Sequence, residues 1–201
     1  VRGRRRWPRW PVRRMFHEPG EGIYFFDCRP QLRHRRPTRV LVPLIRQARR
    51  TITLSMAYFI PQGAVLREIV RARRRGVAVR VIIPGKSDVR SVQWATRHLY
   101  EKLLRRGIRI YERKDQMLHS KVLVIDDEWS LIGSCNLDPR SLWYNLEFFA
   151  IFRSAAMASA VRRICCFEMR NSRRVTLLDC LGRPWWQRLF DRLAWSFRRL
   201  L

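Results

Sequence analysis

A histidine and a lysine two positions apart are the residues of this chain best suited to chemistry. His119 and Lys121 precede a run of four apolar residues, and Asp126 follows that run. The run predicts a buried strand, and side chains two apart in a strand share one face. An imidazole can act as nucleophile or acid near neutral pH, and an ammonium group can stabilise charge on a phosphoryl oxygen. The pair therefore predicts half of a site that splits a phosphodiester.

Further polar residues fit the same site. Ser134 and Asn136 are also two apart and offer a hydroxyl and an amide that can hydrogen-bond a phosphate, and Gly133 allows close approach of backbone or ligand. Glu147 supplies a carboxylate that can orient an imidazole through its ring N–H. The alternatives are that Ser134 and Asn136 only cap a loop, and that Glu147 is a surface residue or the partner of an arginine.

The spacing His119-x-Lys121-x4-Asp126, followed by Gly133-Ser134-x-Asn136, resembles the phospholipase D superfamily. Longer segments are similar to the C-terminal half of a bacterial cardiolipin synthase, over most of the chain. The segments that carry this similarity are Tyr58-Phe59-Ile60-Pro61, Lys86-Ser87-Asp88, Met117 to Lys121, and Ser134 to Ser141.

The resemblance implies a role for each candidate residue. In this superfamily two such motifs face each other, one histidine forming a phosphohistidine and the other acting as acid and base. His119, Lys121 and Asp126 would form the catalytic motif, with Asp126 as a hydrogen-bonding partner that supports it. Ser134 and Asn136 would bind the phosphate, and Glu147 would be the orienting carboxylate. No metal and no cofactor are implied, and whether His119 is the nucleophile or the acid stays open.

The implied reaction moves a phosphatidyl group between phosphatidylglycerol molecules. The enzyme would be peripheral, at the cytoplasmic face of the bacterial inner membrane. Because the sequence contains only one such motif, we expect a fragment that requires a second motif-bearing half, or a chain completed by a second copy, with little activity alone. The alternatives are a dimeric phospholipase D-like nuclease or phosphodiesterase, and an inactive fragment that binds anionic membrane or nucleic acid.

Composition favours anionic partners. The formal net charge is +27, which attracts acidic lipid or nucleic acid without choosing between them. The resemblance makes phosphatidylglycerol and a membrane surface the favoured partners, and nucleic acid the less favoured one. Five cysteines without CxxC spacing predict neither a zinc site nor a disulfide framework. No run approaches the roughly 18 apolar residues of a membrane span.

The order of elements predicts an α/β fold. Strands alternate with helices, which indicates a mainly parallel mixed sheet covered by helices on both faces. We expect a phospholipase D-like domain with one motif over residues 37–172. Within it, helices are predicted at 38–50, 63–75, 89–106 and 155–170, and strands at 51–57, 77–83, 108–112, 117–125, 129–133 and 146–152.

The two ends of the chain differ from this domain. Residues 1–36 mix arginines, Trp-Pro pairs and glycines without periodicity, which predicts a basic irregular tail or linker, or out-of-frame translation of GC-rich DNA. Residues 173–201 form a basic amphipathic tail, in which Pro184 starts a helix. Aromatic residues at helical spacing beside arginines favour a helix on a membrane surface; the alternative is a helix that docks on the protein's own core.

Overall fold

A mixed β-sheet lies at the centre of the protein. The computed structural model describes residues 15–16, 20–29, 32, 36–114 and 116–200, and His17 and His34 lie outside them. In this part of the chain the strands follow the order β1-β7-β6-β5-β2-β3-β4-β8 across the sheet. The strands are β1 (Gly22–Cys28), β2 (Thr51–Met56), β3 (Ala78–Pro84), β4 (Arg109–Arg113), β5 (Lys121–Ile125), β6 (Trp129–Gly133), β7 (Glu147–Arg153) and β8 (Ser172–Val175). The helices are α1 (Thr38–Arg46), α2 (Gly63–Arg74), α3 (Arg90–Leu104), α4 (Pro139–Trp143), α5 (Ala155–Arg170), α6 (Leu177–Leu181) and α7 (Trp185–Ser196).

The predicted mixed sheet flanked by helices is confirmed, but its strands are mainly antiparallel. Of the seven pairings in the described residues, only β2–β3 and β3–β4 are parallel. These two pairs are joined by α2 and α3, because a parallel connection needs a long crossover. β5 and β6 are joined by the short turn at residues 126–128, which can link only antiparallel neighbours.

Both faces of the sheet pack against helices. On one face, Ile52 and Leu54 of β2 share a large apolar core with residues of α1, α2 and α3. On the other face, Val122 and Val124 of β5 pack against Ala158 of α5. β5 therefore lies between two layers, which explains its unbroken apolar sequence.

The prediction of an irregular tail over residues 1–36 is wrong at β1. This strand pairs antiparallel with β7 along its whole length. Phe26 and Cys28 are buried, whereas Ile23 and Phe25 are exposed. Because apolar residues occupy both faces of β1, the sequence shows no alternation of polar and apolar positions that would have revealed a strand.

The predicted boundary at residue 172 also divides a strand. β8 pairs antiparallel with β4, so residues 173–175 belong to the sheet. The C-terminal segment is thus attached to the domain through β8, and α7 packs onto α3. None of the helices in the described residues has the length and apolar character needed to cross a membrane.

Candidate active site

The start of β5 and the end of β2 position the His-Lys pair. Met56 lies opposite Lys121 in the antiparallel ladder, and the Ala57 N–H donates to the Ser120 carbonyl at 2.9 Å. The predicted strand over 117–125 was too long, since regular pairing begins only at Lys121. The reason is that β2 ends at Met56, so residues 117–119 lack a full partner strand. His119 therefore lies just before the strand.

Ser120 fixes the backbone between the two candidate residues. Its hydroxyl contacts the hydroxyl of Ser55 at 2.8 Å and donates to Glu168 of α5 at 2.9 Å. Ser55 donates to the same carboxylate at 2.5 Å. Because neighbouring residues in a strand point to opposite sides, and Val122 packs against α5, the side chain of Lys121 lies on the other face of the sheet. Glu168 was missed by the sequence reasoning, since nothing local marks a helix residue 48 positions away as the partner of Ser120.

Lys121 supplies a cation that forms no salt bridge with any residue the structure describes. Its ammonium group is half-buried and donates to the His119 carbonyl at 2.8 Å. Burial lowers the pKa of Lys121, while the charges of Glu147, Asp138 and Asp88 act in the opposite direction. An ammonium group has three N–H donors, so two remain for a ligand. Within the described ranges, no carboxylate approaches it closely enough to form a salt bridge.

The side chain of His119 is exposed. Among the described residues its imidazole has no hydrogen-bonding partner, so both ring nitrogens are accessible to a ligand. Within the same residues there is no group of three or more His, Cys, Asp or Glu side chains arranged to hold a metal ion. The arrangement offers an exposed imidazole and, two residues along, a half-buried ammonium group.

Ser134 and Glu147 form a hydrogen-bonded pair next to this point of the sheet. The Ser134 hydroxyl donates to the buried carboxylate of Glu147 and accepts from the Phe148 N–H at 3.0 Å. We expected Glu147 to orient the imidazole of His119, but the hydrogen bond that the structure shows for this carboxylate is with Ser134. Gly133 permits this close approach, because a Cβ there would collide with Phe149 of β7.

Asn136 is tied to the end of β2. Its Oδ1 accepts from the Tyr58 N–H at 3.2 Å, and the Leu137 N–H donates to the Tyr58 carbonyl at 3.2 Å. Tyr58 is two residues beyond Met56, the partner of Lys121, so these bonds bring the 134–138 segment beside the His-Lys pair. The NH2 group of Asn136 remains a possible donor to a phosphate oxygen.

Tyr58, Asp88 and Asp138 complete the polar surroundings. The Tyr58 hydroxyl donates to Asp88 at 2.8 Å, and burial, aided by that carboxylate, raises the pKa of Tyr58 to about 12. Asp138 caps α4 by accepting from the Ser141 N–H at 2.8 Å, and burial raises its pKa to about 6. The segments at 58–61 and 86–88 are among those that carry the family resemblance. The hydrogen bond between Tyr58 and Asp88, which are 30 residues apart, could not be predicted from them.

Asp126 does not belong to this cluster. It follows the opposite end of β5, and its carboxylate accepts from the backbone N–H groups of Arg49, Arg50 and Thr51 at 2.6 to 2.7 Å. Five residues of extended chain separate it from Lys121 by roughly 16 Å. Its geometry is that of a structural support joining β5 to the loop before β2, which agrees with the hydrogen-bonding role expected for Asp126 within the motif.

Comparison with known sequences is consistent with this architecture. A family model described as "Cardiolipin synthase, PLD-like domain" matches residues 41–165. Cardiolipin synthase A of Pectobacterium carotovorum subsp. carotovorum (strain PC1) is 36% identical over 163 residues, which cover 81% of this chain and 34% of that protein. Cardiolipin synthase A of Serratia proteamaculans (strain 568) is 32% identical over 184 residues, covering 92% and 38%. The chain thus spans about a third of the length of the curated relatives it matches.

Solved structures share the fold. Nuc of Salmonella typhimurium, a phospholipase D family member, superposes with a TM-score of 0.66 at 19% identity, covering 78% of this chain and 99% of that chain. The phosphatidylserine synthase of Haemophilus influenzae Rd KW20 gives a TM-score of 0.71 at 11% identity, covering 92% and 49%. The family model spans well over half of the chain, and the fold agrees with it. The chain therefore belongs to the cardiolipin synthase family of phospholipase D-like domains.

Proposed function

We propose that this chain is the C-terminal catalytic half of a cardiolipin synthase. It would transfer a phosphatidyl group from one phosphatidylglycerol molecule to another through a phosphohistidine. The observation that carries the proposal is the exposed His119 beside Lys121, which donates to the His119 carbonyl, with Ser120 between them hydrogen-bonded to Glu168. The relatives named cardiolipin synthase A support the substrate class.

The reaction would proceed in two displacements at phosphorus. In the first, a histidine forms an N–P bond, the bond from phosphorus to a glycerol oxygen breaks, and a second histidine protonates the departing glycerol. In the second, that histidine removes a proton from a hydroxyl of another phosphatidylglycerol, whose oxygen displaces the first histidine and yields cardiolipin. His119 takes one of these two roles. Lys121 and Asn136 stabilise the charge that develops on the non-bridging oxygens.

A second histidine must come from outside the motif at His119. The sequence contains one His-x-Lys-x4-Asp motif, whereas the proposed reaction uses two. A second motif-bearing half or a second copy of the chain supplies the other. We therefore expect the purified chain alone to have little or no activity.

The substrate places the reaction at a membrane surface. Phosphatidylglycerol is anionic, and the net charge of +27 attracts it. We infer peripheral association with the cytoplasmic face of the bacterial inner membrane.

A chimera tests the catalytic proposal. The full chain would replace the matching third of Pectobacterium cardiolipin synthase A, and cardiolipin formation from labelled phosphatidylglycerol would be followed by thin-layer chromatography. His119→Ala should reduce the rate by at least about 1,000-fold, because the reaction loses a covalent or proton-transfer step. Asp127→Asn, a surface change at the far end of β5, is the matched control and should retain activity.

Two results would contradict the proposal. One is a chimera whose cardiolipin synthesis is unaffected by His119→Ala. The other is cleavage of plasmid DNA by the purified chain, lost on His119→Ala, without any phosphatidyl transfer by the chimera. The second result would identify a phosphodiesterase that acts on nucleic acid.

A further inference from the structure

Helix α7 has three chemically distinct sides, although a terminal helix that only docks on its own domain needs two. At 3.6 residues per turn, each residue is rotated by about 100° from the one before it. Seen down the helix axis, the first side is apolar, the second faces α3, and the third is a narrow strip of arginines. Packing among the described residues does not explain the first and third sides.

The inward side accounts for docking. Ala194 is buried with Val92 and Ala95 of α3, and Trp195 stacks on His98 with ring centroids 5.2 Å apart. The buried carboxylate of Asp191 pairs with Arg183 at 2.7 Å. These contacts show that the predicted alternative, docking on the protein's own core, describes this side of α7.

The outward side of α7 carries the aromatic residues whose helical spacing was noted in the sequence. Within α7 these residues occupy about 140° of the helix circumference, and the set continues through Phe197 and Leu200 in the turns that follow the helix. Each residue is between 46% and 76% exposed. Leu178 and Leu181 of α6 are also exposed. We call the following set the outer face: Trp185, Trp186, Leu189, Phe190, Leu193, Phe197 and Leu200.

The arginine strip lies along one edge of the outer face. Arg188 and Arg192 fall within about 40° of one another around the helix axis, and Arg199 lies in the turn after the helix. Within the described part of the chain none of the three forms a salt bridge. The acidic residues of the region are already engaged, since Asp179 pairs with Arg173 at 2.9 Å and Asp191 pairs with Arg183. The strip therefore presents uncompensated positive charge beside an apolar surface.

We propose that the outer face and the arginine strip together dock the chain on an anionic lipid bilayer. Tryptophan and phenylalanine side chains enter the boundary between headgroups and acyl chains, and the arginines contact lipid phosphates. A protein partner fits less well, because the charge is of one sign and is aligned with the edge of the apolar surface. The inference rests on the proposed function only for the choice of phosphatidylglycerol as the anionic lipid.

This surface lies next to the candidate site. α3 begins two residues after Asp88, the partner of Tyr58. On the same helix, Trp94 contacts Phe190 of the outer face, with ring centroids 5.4 Å apart. Ile60, two residues beyond Tyr58, is buried in the same cluster as Ala194. Docking of the outer face would thus hold the His119 region close to the lipid surface.

Vesicle binding tests the proposal. The purified chain would be sedimented with phosphatidylcholine vesicles prepared with and without phosphatidylglycerol. The triple variant Leu189→Ser, Leu193→Ser and Phe197→Ser should weaken binding by about 100-fold. The reason is that three apolar side chains that would move from water into the bilayer on binding have been removed. Replacing Arg188 and Arg192 by Ser should weaken binding to phosphatidylglycerol vesicles by about 10- to 30-fold and leave binding to neutral vesicles nearly unchanged.

Matched controls distinguish binding through the outer face from nonspecific binding through other apolar residues and from effects on catalysis. Ile23→Ser, Phe25→Ser and Ile164→Ser remove equally exposed apolar residues elsewhere and should leave binding unchanged. His119→Ala should also bind normally, so a failure of the catalytic proposal would not affect this measurement. Circular dichroism checks that each variant is folded.

Two outcomes would overturn the inference. If the triple serine variant of the outer face binds vesicles like the unmodified chain, attraction is due to net charge alone. If the unmodified chain forms a defined oligomer without lipid, and the triple variant is monomeric by analytical ultracentrifugation, the outer face is an interface between copies.

Discussion

Asp126→Asn should destabilise the protein although Asp126 lies far from the reacting groups. Oδ1 accepts from Arg50 and Thr51, and Oδ2 accepts from Arg49. An asparagine can keep the two bonds to its single oxygen, at reduced strength. Its NH2 group would face the Arg49 N–H, which then has no acceptor. The backbone of Asp126 has a φ of +55°, a conformation that asparagine tolerates.

The expected loss follows from the number and type of these bonds. Hydrogen bonds to a charged group contribute about 1.5–3 kcal/mol each in protected settings. One such bond is lost and two are weakened, while solvent at this half-exposed turn reduces the effect. We expect the free energy of unfolding to fall by about 2 kcal/mol.

Asp127→Asn is the matched control. Asp127 has nearly the same backbone conformation, with φ of +57°, but its carboxylate makes only a surface ion pair with Arg162 at 3.0 Å. Exposed pairs contribute little, so this change should cost no more than about 0.5 kcal/mol. Urea unfolding followed by tryptophan fluorescence measures both variants. Equal stabilities for the two variants would refute the structural role of Asp126.

Two further predictions concern the buried residues of the domain. Because burial raises the pKa of Asp138 to about 6, the folded state binds its proton more tightly than the unfolded state, and stability falls as the pH rises from about 4 to about 6. Asp138→Asn still caps α4 but does not titrate. Its free energy of unfolding, relative to that of the unmodified protein, should therefore rise by about 2–3 kcal/mol between pH 4 and pH 7. A difference in urea unfolding that does not change with pH would contradict this. Phe26 is fully buried in β1 and stacks on Phe149 at 5.3 Å, so Phe26→Ala should cost about 3–5 kcal/mol. Phe25→Ala, on the exposed side of the same strand, should cost about 1 kcal/mol or less, and equally small losses for both would show that β1 is not part of the stable fold.

The sequence was most informative where chemistry and local periodicity coincide. His119 and Lys121 flank Ser120, and a spacing of two is enough to predict a shared side when the chain is extended. The helix after β2 was predicted because α2 carries an apolar stripe, and the predicted helix after β3 ended at Gly107, close to the observed end of α3 at Leu104. The wrong predictions came from segments without such periodicity. β1 is apolar on both sides, and the parallel character of the sheet was inferred from helices that cross over only two of its pairs.

Sequence by itself determined the residue types of the site, the alternation of helices and strands, and the aromatic and basic character of α7. Only the tertiary structure decided which groups meet. It joined Glu147 to Ser134, Glu168 to Ser120 and Tyr58 to Asp88, and it placed Asp126 beyond the far end of β5. The physical reason is that spacing along the chain fixes only which side of an element a residue occupies. The partner across the sheet depends on strand order and register, which the packing of the whole domain selects.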